Sequence, residues 1–179
     1  MRSFVQVVAL SGPVGAGKTT LAVGLAKSVG AEILRTQNLL REQAAGRTRE
    51  ELQRLGEDLD QREGGKWVAA PVLAQLSSTH GGLPVIVDAV RTSDQLAELR
   101  KGASVRHIHL TAPDSVLQAR YEQRRQSAQA FELRSFEELR ANPTEAAVDS
   151  LANQADLVLD TDRFDIAAVR HRASEVIER

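Results

Sequence analysis

The sequence predicts an α/β fold, a five-stranded parallel sheet between layers of helices. Short apolar runs rich in β-branched residues alternate with longer stretches of helical periodicity, and the first run passes straight into glycines and a helix. Such alternation requires parallel pairing through right-handed crossovers. At 179 residues the chain has the length of one domain with a substantial core.

The elements follow in order. Phe4–Leu10 has strand length and composition. Gly17–Val29 repeats apolar residues every fourth position, at Leu21, Leu25 and Val29, and reads as a helix. Ala31–Leu34 is a weaker strand. Thr48 and Glu51 form a capping box that starts a helix running to about Arg62. A helix over Trp67–Leu76 precedes the turn residues Gly81-Gly82-Leu83-Pro84, which open a strand over Val85–Val87. Ser93–Arg100 is helical, Val105–Leu110 a strand, and Pro113–Arg125 a helix with proline in its first turn. Leu157–Leu159 and Phe164–Ile177 complete the set as strand and helix. Thr36–His80 and Arg120–Asn153 exceed what a plain crossover requires, so an acceptor-binding insertion (36–80) and a short helical lid (120–142) are expected there.

Composition removes several function classes. Lys and Arg number 23 against 24 Asp and Glu, so the chain lacks the overall basic charge of a general nucleic-acid binder. One Trp, one Tyr and four Phe are too few for a base-stacking platform. With no cysteine, thiolate chemistry and zinc–sulfur sites are excluded, and a reducing, cytoplasmic location is expected. No apolar run approaches the roughly 20 residues of a membrane span, and the apolar part of Met1–Gly12 is short for a signal peptide.

Chemistry concentrates at Gly12-Pro13-Val14-Gly15-Ala16-Gly17-Lys18-Thr19, a full match to G-x-x-x-x-G-K-[ST] between a predicted strand and a predicted helix. In such a loop, backbone N–H groups curl around phosphate oxygens and the helix N-terminus adds its positive end. The ATP-phosphate contacts expected are Gly12, Val14, Gly15, Ala16, Gly17, Lys18, Thr19 and Thr20. Lys18 would reach the β- and γ-phosphates and the Thr19 hydroxyl would serve Mg²⁺. Asp88 closes the apolar run Val85-Ile86-Val87, the place of a magnesium-holding carboxylate.

Four segments together resemble the P-loop nucleoside monophosphate kinases, similar to adenylate kinase and to deoxynucleotide monophosphate kinases. They are the phosphate loop; Ile33-Leu34-Arg35-Thr36 through Arg41; Asp88-Ala89-Val90-Arg91-Thr92; and Ala112-Pro113-Asp114 through Leu117, Arg120 and Arg124. The resemblance implies a three-layer P-loop NTPase fold with strand order 2-3-1-4-5. It implies transfer of the γ-phosphoryl of ATP, with Mg²⁺, to a nucleoside or deoxynucleoside monophosphate. Thr36, Arg41 and Arg91 would bind the acceptor, while Lys18, Arg120 and Arg124 would stabilise the transferring charge. Gln37 and Asn38 stand where that family carries Gly-Asp. Arg120 and Arg124 lie four apart, so one anion is within reach of both.

Two alternatives remain open on sequence alone. A dephospho-coenzyme A kinase accepts at a hydroxyl and needs a base, for which Asp88 or Asp114 is available. A nucleotide-sensing module would bind ATP without any acceptor. Lesser signals are read structurally: His107 and His109 as packed strand residues, Arg125, Arg134 and Arg140 as solvated helix charges, Trp67 as core or as a wall of the acceptor pocket. The charge-rich Arg47–Lys66 stretch is a solvated helix, or a flap offering Arg54 or Arg62 to the acceptor.

Overall fold

The computed structural model describes residues 5–44, 48–78, 82–127 and 134–177. Five parallel strands form one sheet in the order β2-β3-β1-β4-β5. They are β1 (Val7–Ser11), β2 (Glu32–Arg35), β3 (Val85–Asp88), β4 (Val105–Thr111) and β5 (Leu157–Asp160). Fold class and strand order are those expected. The register sets Leu10 level with Asp88, Asp88 with Arg35, and Ser11 with His109. The carboxyl ends of β1, β2, β3 and β4 thus meet along one edge, where ligands settle in open parallel sheets.

Alternation within β1 explains the two cores. Val8 and Leu10 face one side with Ile86, Ile108 and Leu110, where α1 (Lys18–Val29), α6 (Asp114–Ser127) and α9 (Ile166–Ile177) supply Leu21, Leu25, Leu117, Tyr121 and Val169. Val7 and Ala9 face the other with Val85 and Val87, against α4 (Lys66–Ser78) and α5 (Ser93–Gly102), which supply Val68, Val72, Leu96 and Leu99. The pattern inward on both faces is why the strands read as unbroken apolar runs.

Thr48 caps α3 (Arg49–Glu63) through the expected reciprocal box, its hydroxyl accepting from Glu51 N–H and its own N–H donating to Glu51. Several bounds differ by a residue or two. The helix expected at Phe164 starts at Ile166, because the Asp165 carboxylate accepts from Ala168 N–H and so caps it. Three short elements escaped periodicity altogether: α7 (Phe136–Arg140), α8 (Pro143–Val148) and a 3-10 turn over Asp149–Gln154. A further helix, α2 (Thr36–Gln43), follows β2 directly. Phe4, Gly81 and residues 128–133 of the expected lid lie outside the described residues. Among the described residues no helix is long and apolar enough to cross a membrane.

Candidate functional site

The phosphate loop leaves β1 at Ser11 and enters α1 at Lys18, as its sequence requires. Gly12 has φ +133°, and a Cβ there would stand 2.2 Å from Leu110 O. Gly15 has φ +84°, and a Cβ would stand 2.6 Å from Leu117 O. Both positions therefore need glycine for conformation and for space. The Ala16 N–H turns inward to donate to Pro13 O at 3.2 Å. Lys18 Nζ folds back over the loop, donating to Gly12 O at 2.7 Å and Pro13 O at 2.8 Å. Carbonyls are weak compensation for a buried ammonium. Burial, with the nearby Arg91 charge, lowers the Lys18 pKa to about 8.

Beyond the loop, Thr19 Oγ1 donates to Asp88 Oδ2 at 2.8 Å. Asp88 is 8% exposed, and the Arg35 guanidinium lies 3.9 Å from the same oxygen. One hydroxyl and one carboxylate, adjacent and otherwise open to the cleft, form a hard-oxygen pair suited to Mg²⁺, which keeps most of its shell as water and phosphate oxygen. No cluster of three or more His, Asp or Glu ligands occurs among the described residues.

These groups open into a cleft of about 480 Å³, walled by the loop, the ends of β2 and β3, and helices α2, α3, α4, α7 and α8. It brings Lys18, Arg35, Arg41, Arg91 and Arg124 into one volume with Glu57, Asp60 and Glu145. Arg41 is exposed on α2. The Arg91 guanidinium is ion-paired with Glu145, which is 2% exposed at the cleft wall. Thr36 lines the cleft, but its hydroxyl is engaged with the end of β3, donating to Ala89 O at 3.0 Å and accepting from Ala89 N–H. A second cavity of about 360 Å³ shares Gly17 and Thr20 with the first and is lined further by Ala16, Arg120, Phe164 and Val169.

Several expectations need correction. Arg120 and Arg124 do not face one space: Arg124 lines the cleft, whereas Arg120 lines the second cavity and donates to Thr161 Oγ1 at 2.8 Å and Thr161 O at 2.9 Å. Four residues along a helix also change azimuth by about 40°, enough here to separate the two heads. Arg54 and Arg62 pair with Glu50 and Asp58 on the outer side of α3 and do not line the cleft. The Asp114 side chain is 74% exposed, lies 3.5 Å from Arg140, and is outside the cleft. Trp67 combines both readings offered for it: it belongs to the core, lines the cleft, and donates its indole N–H to Asp60 at 2.6 Å. His107 and His109 flank the buried Ser11 hydroxyl, with Oγ 2.6 Å from His107 Nε2 and 2.8 Å from His109 Nδ1.

Arg35, Glu57, Asp60 and Glu145 line the cleft without having been singled out from sequence. Arg35 had one usable signal, its place at the end of a strand beside Thr36. Glu57 and Asp60 sit in the charge-rich stretch read as a solvated helix, and Glu145 in the short α8 that periodicity does not register.

The model of the AAA-domain family matches residues 8–140, from the first strand through α7. The chain belongs to that family. Among curated proteins none matches it in sequence. The fold of this AAA-domain chain is that of several solved kinases. A gluconokinase from Sinorhizobium meliloti 1021 is 17% identical, with a TM-score of 0.59 over 99% of this chain and 94% of that one. Shikimate kinase from Acinetobacter baumannii, in complex with shikimate, is 19% identical, with a TM-score of 0.57 over 97% and 92%. The APS kinase CysC of Mycobacterium tuberculosis, in complex with AMPPNP and APS, is 19% identical, with a TM-score of 0.56 over 98% and 97%. At these identities the likeness is one of fold, the P-loop kinase architecture.

Proposed function

We propose that this AAA-domain chain is a cytoplasmic, ATP-dependent kinase that transfers the γ-phosphoryl group to a nucleoside or deoxynucleoside monophosphate. One observation carries the reading. The loop lysine, the Thr19–Asp88 pair and four arginines face a single cleft, with a second cavity adjoining the same loop. In this reading the second cavity takes the nucleoside end of ATP, and Arg120, steadied by Thr161, flanks its phosphates. The triphosphate lies along the loop, where Lys18 exchanges its carbonyl partners for phosphate oxygens. Thr19 and Asp88 would hold Mg²⁺, which when bound neutralises β- and γ-phosphate charge.

The acceptor phosphate enters the cleft from the α2–α3 side, making residues 36–80 the acceptor-binding part and 120–142 the lid of a single kinase domain. An acceptor oxygen forms the new bond to the γ-phosphorus as the bond to the bridging oxygen of ATP breaks, and ADP leaves. A phosphate acceptor is already ionised at neutral pH, so no base is required of the chain. Of the two bases named for a hydroxyl acceptor, Asp114 is outside the cleft, whereas Asp88 stands within it and accepts from Thr19. Arg41 and Arg91 clamp the acceptor, with Glu145 holding Arg91 so that its remaining N–H donors face the cleft. Arg124 meets the charge that develops between donor and acceptor.

The test is kinetic. Arg41 is exposed, so Arg41→Ala leaves the fold intact; Arg91→Lys keeps a cation beside Glu145 but removes the planar fork. Each should lower kcat/KM for the acceptor roughly tenfold to a hundredfold, the equivalent of about 1.5–3 kcal/mol, and leave ATP affinity unchanged. Loss of ATP affinity alone, or no change, would remove both residues from the acceptor site.

A further inference from the structure

Asp60 is the most specifically oriented carboxylate in the cleft that phosphate chemistry does not use. It projects from α3 to a point where α4 and α5 also arrive. Its Oδ1 is filled, accepting from Trp67 Nε1 at 2.6 Å and from Gln95 Nε2 at 2.9 Å. Its Oδ2 has only the longer, shared contact to Gln95 Nε2, at 3.1 Å. A carboxylate oxygen accepts about two hydrogen bonds, so Oδ2 retains capacity, and Asp60 lines the cavity. Gln95 is itself fixed, 1% exposed and accepting the Arg91 N–H through Oε1 at 2.9 Å. The carboxylate is therefore held in one rotamer by two donors and linked through Gln95 to the backbone of an acceptor arginine. Burial raises the Asp60 pKa above its ordinary value, the Gln95 and Trp67 hydrogen bonds opposing this. Such a desolvated group gains from one more donor.

What arrives there must donate. The cations of the cleft come from the loop, the ends of β2 and β3, α2 and α6, with Arg91 near enough to act on Asp60, while α3 contributes Glu57 and Asp60. Glu57 Oε1 is already occupied by Gln53, Asn142 and Thr144 at 3.2, 3.2 and 3.3 Å. Asp60 is the carboxylate of α3 that has the Trp67 ring beside it, an apolar wall for a base. Resting on the proposed nucleotide acceptor, we infer that Asp60 is a specificity-determining residue whose Oδ2 accepts a hydrogen bond from an exocyclic amino group of the acceptor's base. A base with a keto oxygen at that point sets acceptor against acceptor and is rejected.

Nucleotide pairs that exchange an amino group for a keto group test this directly. ATP-dependent turnover is measured with AMP against IMP, CMP against UMP, and GMP against XMP, in ribo and deoxy forms, with shikimate and gluconate as hydroxyl acceptors. The amino-bearing member of the pair used should win by at least about tenfold in kcat/KM, mainly through KM. Asp60→Asn keeps an oxygen for Trp67 and Gln95 but turns an amide N–H₂ toward the ligand. It should erase or invert that preference while leaving the KM for ATP and the thermal midpoint close to wild type. A purely structural Asp60 would instead shift the midpoint and leave the amino-to-keto ratio alone. If the variant does not fold, the wild-type ratio decides. Equal use of amino and keto partners overturns the Asp60 assignment and leaves the nucleotide reading standing. Turnover with hydroxyl acceptors only, or with nothing in the panel, overturns the nucleotide reading and this assignment with it.

Discussion

Lys18 is a cation held against two carbonyls, with a pKa lowered to about 8 by burial and by Arg91. A phosphate placed in the loop reverses that shift, because an opposite charge favours the protonated amine. ATP binding at pH 8 should therefore take up about half a proton at this residue, and at pH 6.5 almost none, since the free lysine is already charged there. Calorimetric titration with ATP in buffers of differing ionisation enthalpy measures the uptake, and Lys18→Met should abolish the part that grows with pH. Uptake identical in both proteins would contradict the assignment. At this scale the sequence reveals residues whose spacing is itself the chemistry, Gly12 through Thr19 above all. It conceals Glu145 and Asp60. Asp60 is a charge in a helix read as solvated and Glu145 falls where no periodicity registers, and only tertiary packing turns Glu145 toward Arg91 and Asp60 toward Gln95. That Arg120 and Arg124 line different cavities was hidden for the complementary reason: helical spacing says which residues are neighbours and nothing of which cavity each one meets.

Among the elements, β4 carries a liability beneath the loop. His107 and His109 are 0% and 2% exposed, on either side of the Ser11 hydroxyl that ends β1. The Ser11 hydroxyl can accept from one ring and donate to the other, so the arrangement suits two neutral rings. Burial, together with the neighbouring His107, lowers the His109 pKa to about 4 from 6.5. The sign follows. Below pH 6.5 the unfolded chain binds a proton that the folded protein refuses, so stability is lost as pH falls from 6.5 toward 4. At pH 4.5 the His109 share of that loss is on the order of 2–3 kcal/mol. Urea unfolding of wild type and His109→Gln at pH 7 and 4.5 should show the variant losing less by about this amount; parallel losses would contradict it. The elements legible in sequence were those with a strong local code, such as the β1–loop–α1 unit and the capped α3. The short α7 and α8 carry a capping box at Ser135–Glu138 and a proline after Asn142, but are too brief for periodicity to register.

For the whole molecule, strand order does most of the positioning. With β1 between β3 and β4, the loop, Asp88 and Arg35 share one edge, and helices α2 to α4 on one side and α7 and α8 on the other close around it. The alternation of strands and helices predicts the layers, and the resemblance to nucleoside monophosphate kinases implies the order that the sheet adopts. What stayed hidden is the content of the cleft, which is assembled from residues far apart in the chain: Arg35, Asp60, Arg91 and Glu145 belong to four different elements or their ends. The central claim is that this cleft moves a phosphoryl group from ATP to a nucleotide. The most direct measurement incubates the protein with Mg²⁺, ATP labelled at the γ-phosphate and each nucleoside monophosphate in turn, and follows the label. Label should appear in a nucleoside diphosphate, with Lys18→Ala lowering kcat at least a hundredfold while remaining folded. Saturable ATP binding with no label transferred to any nucleotide would contradict the account.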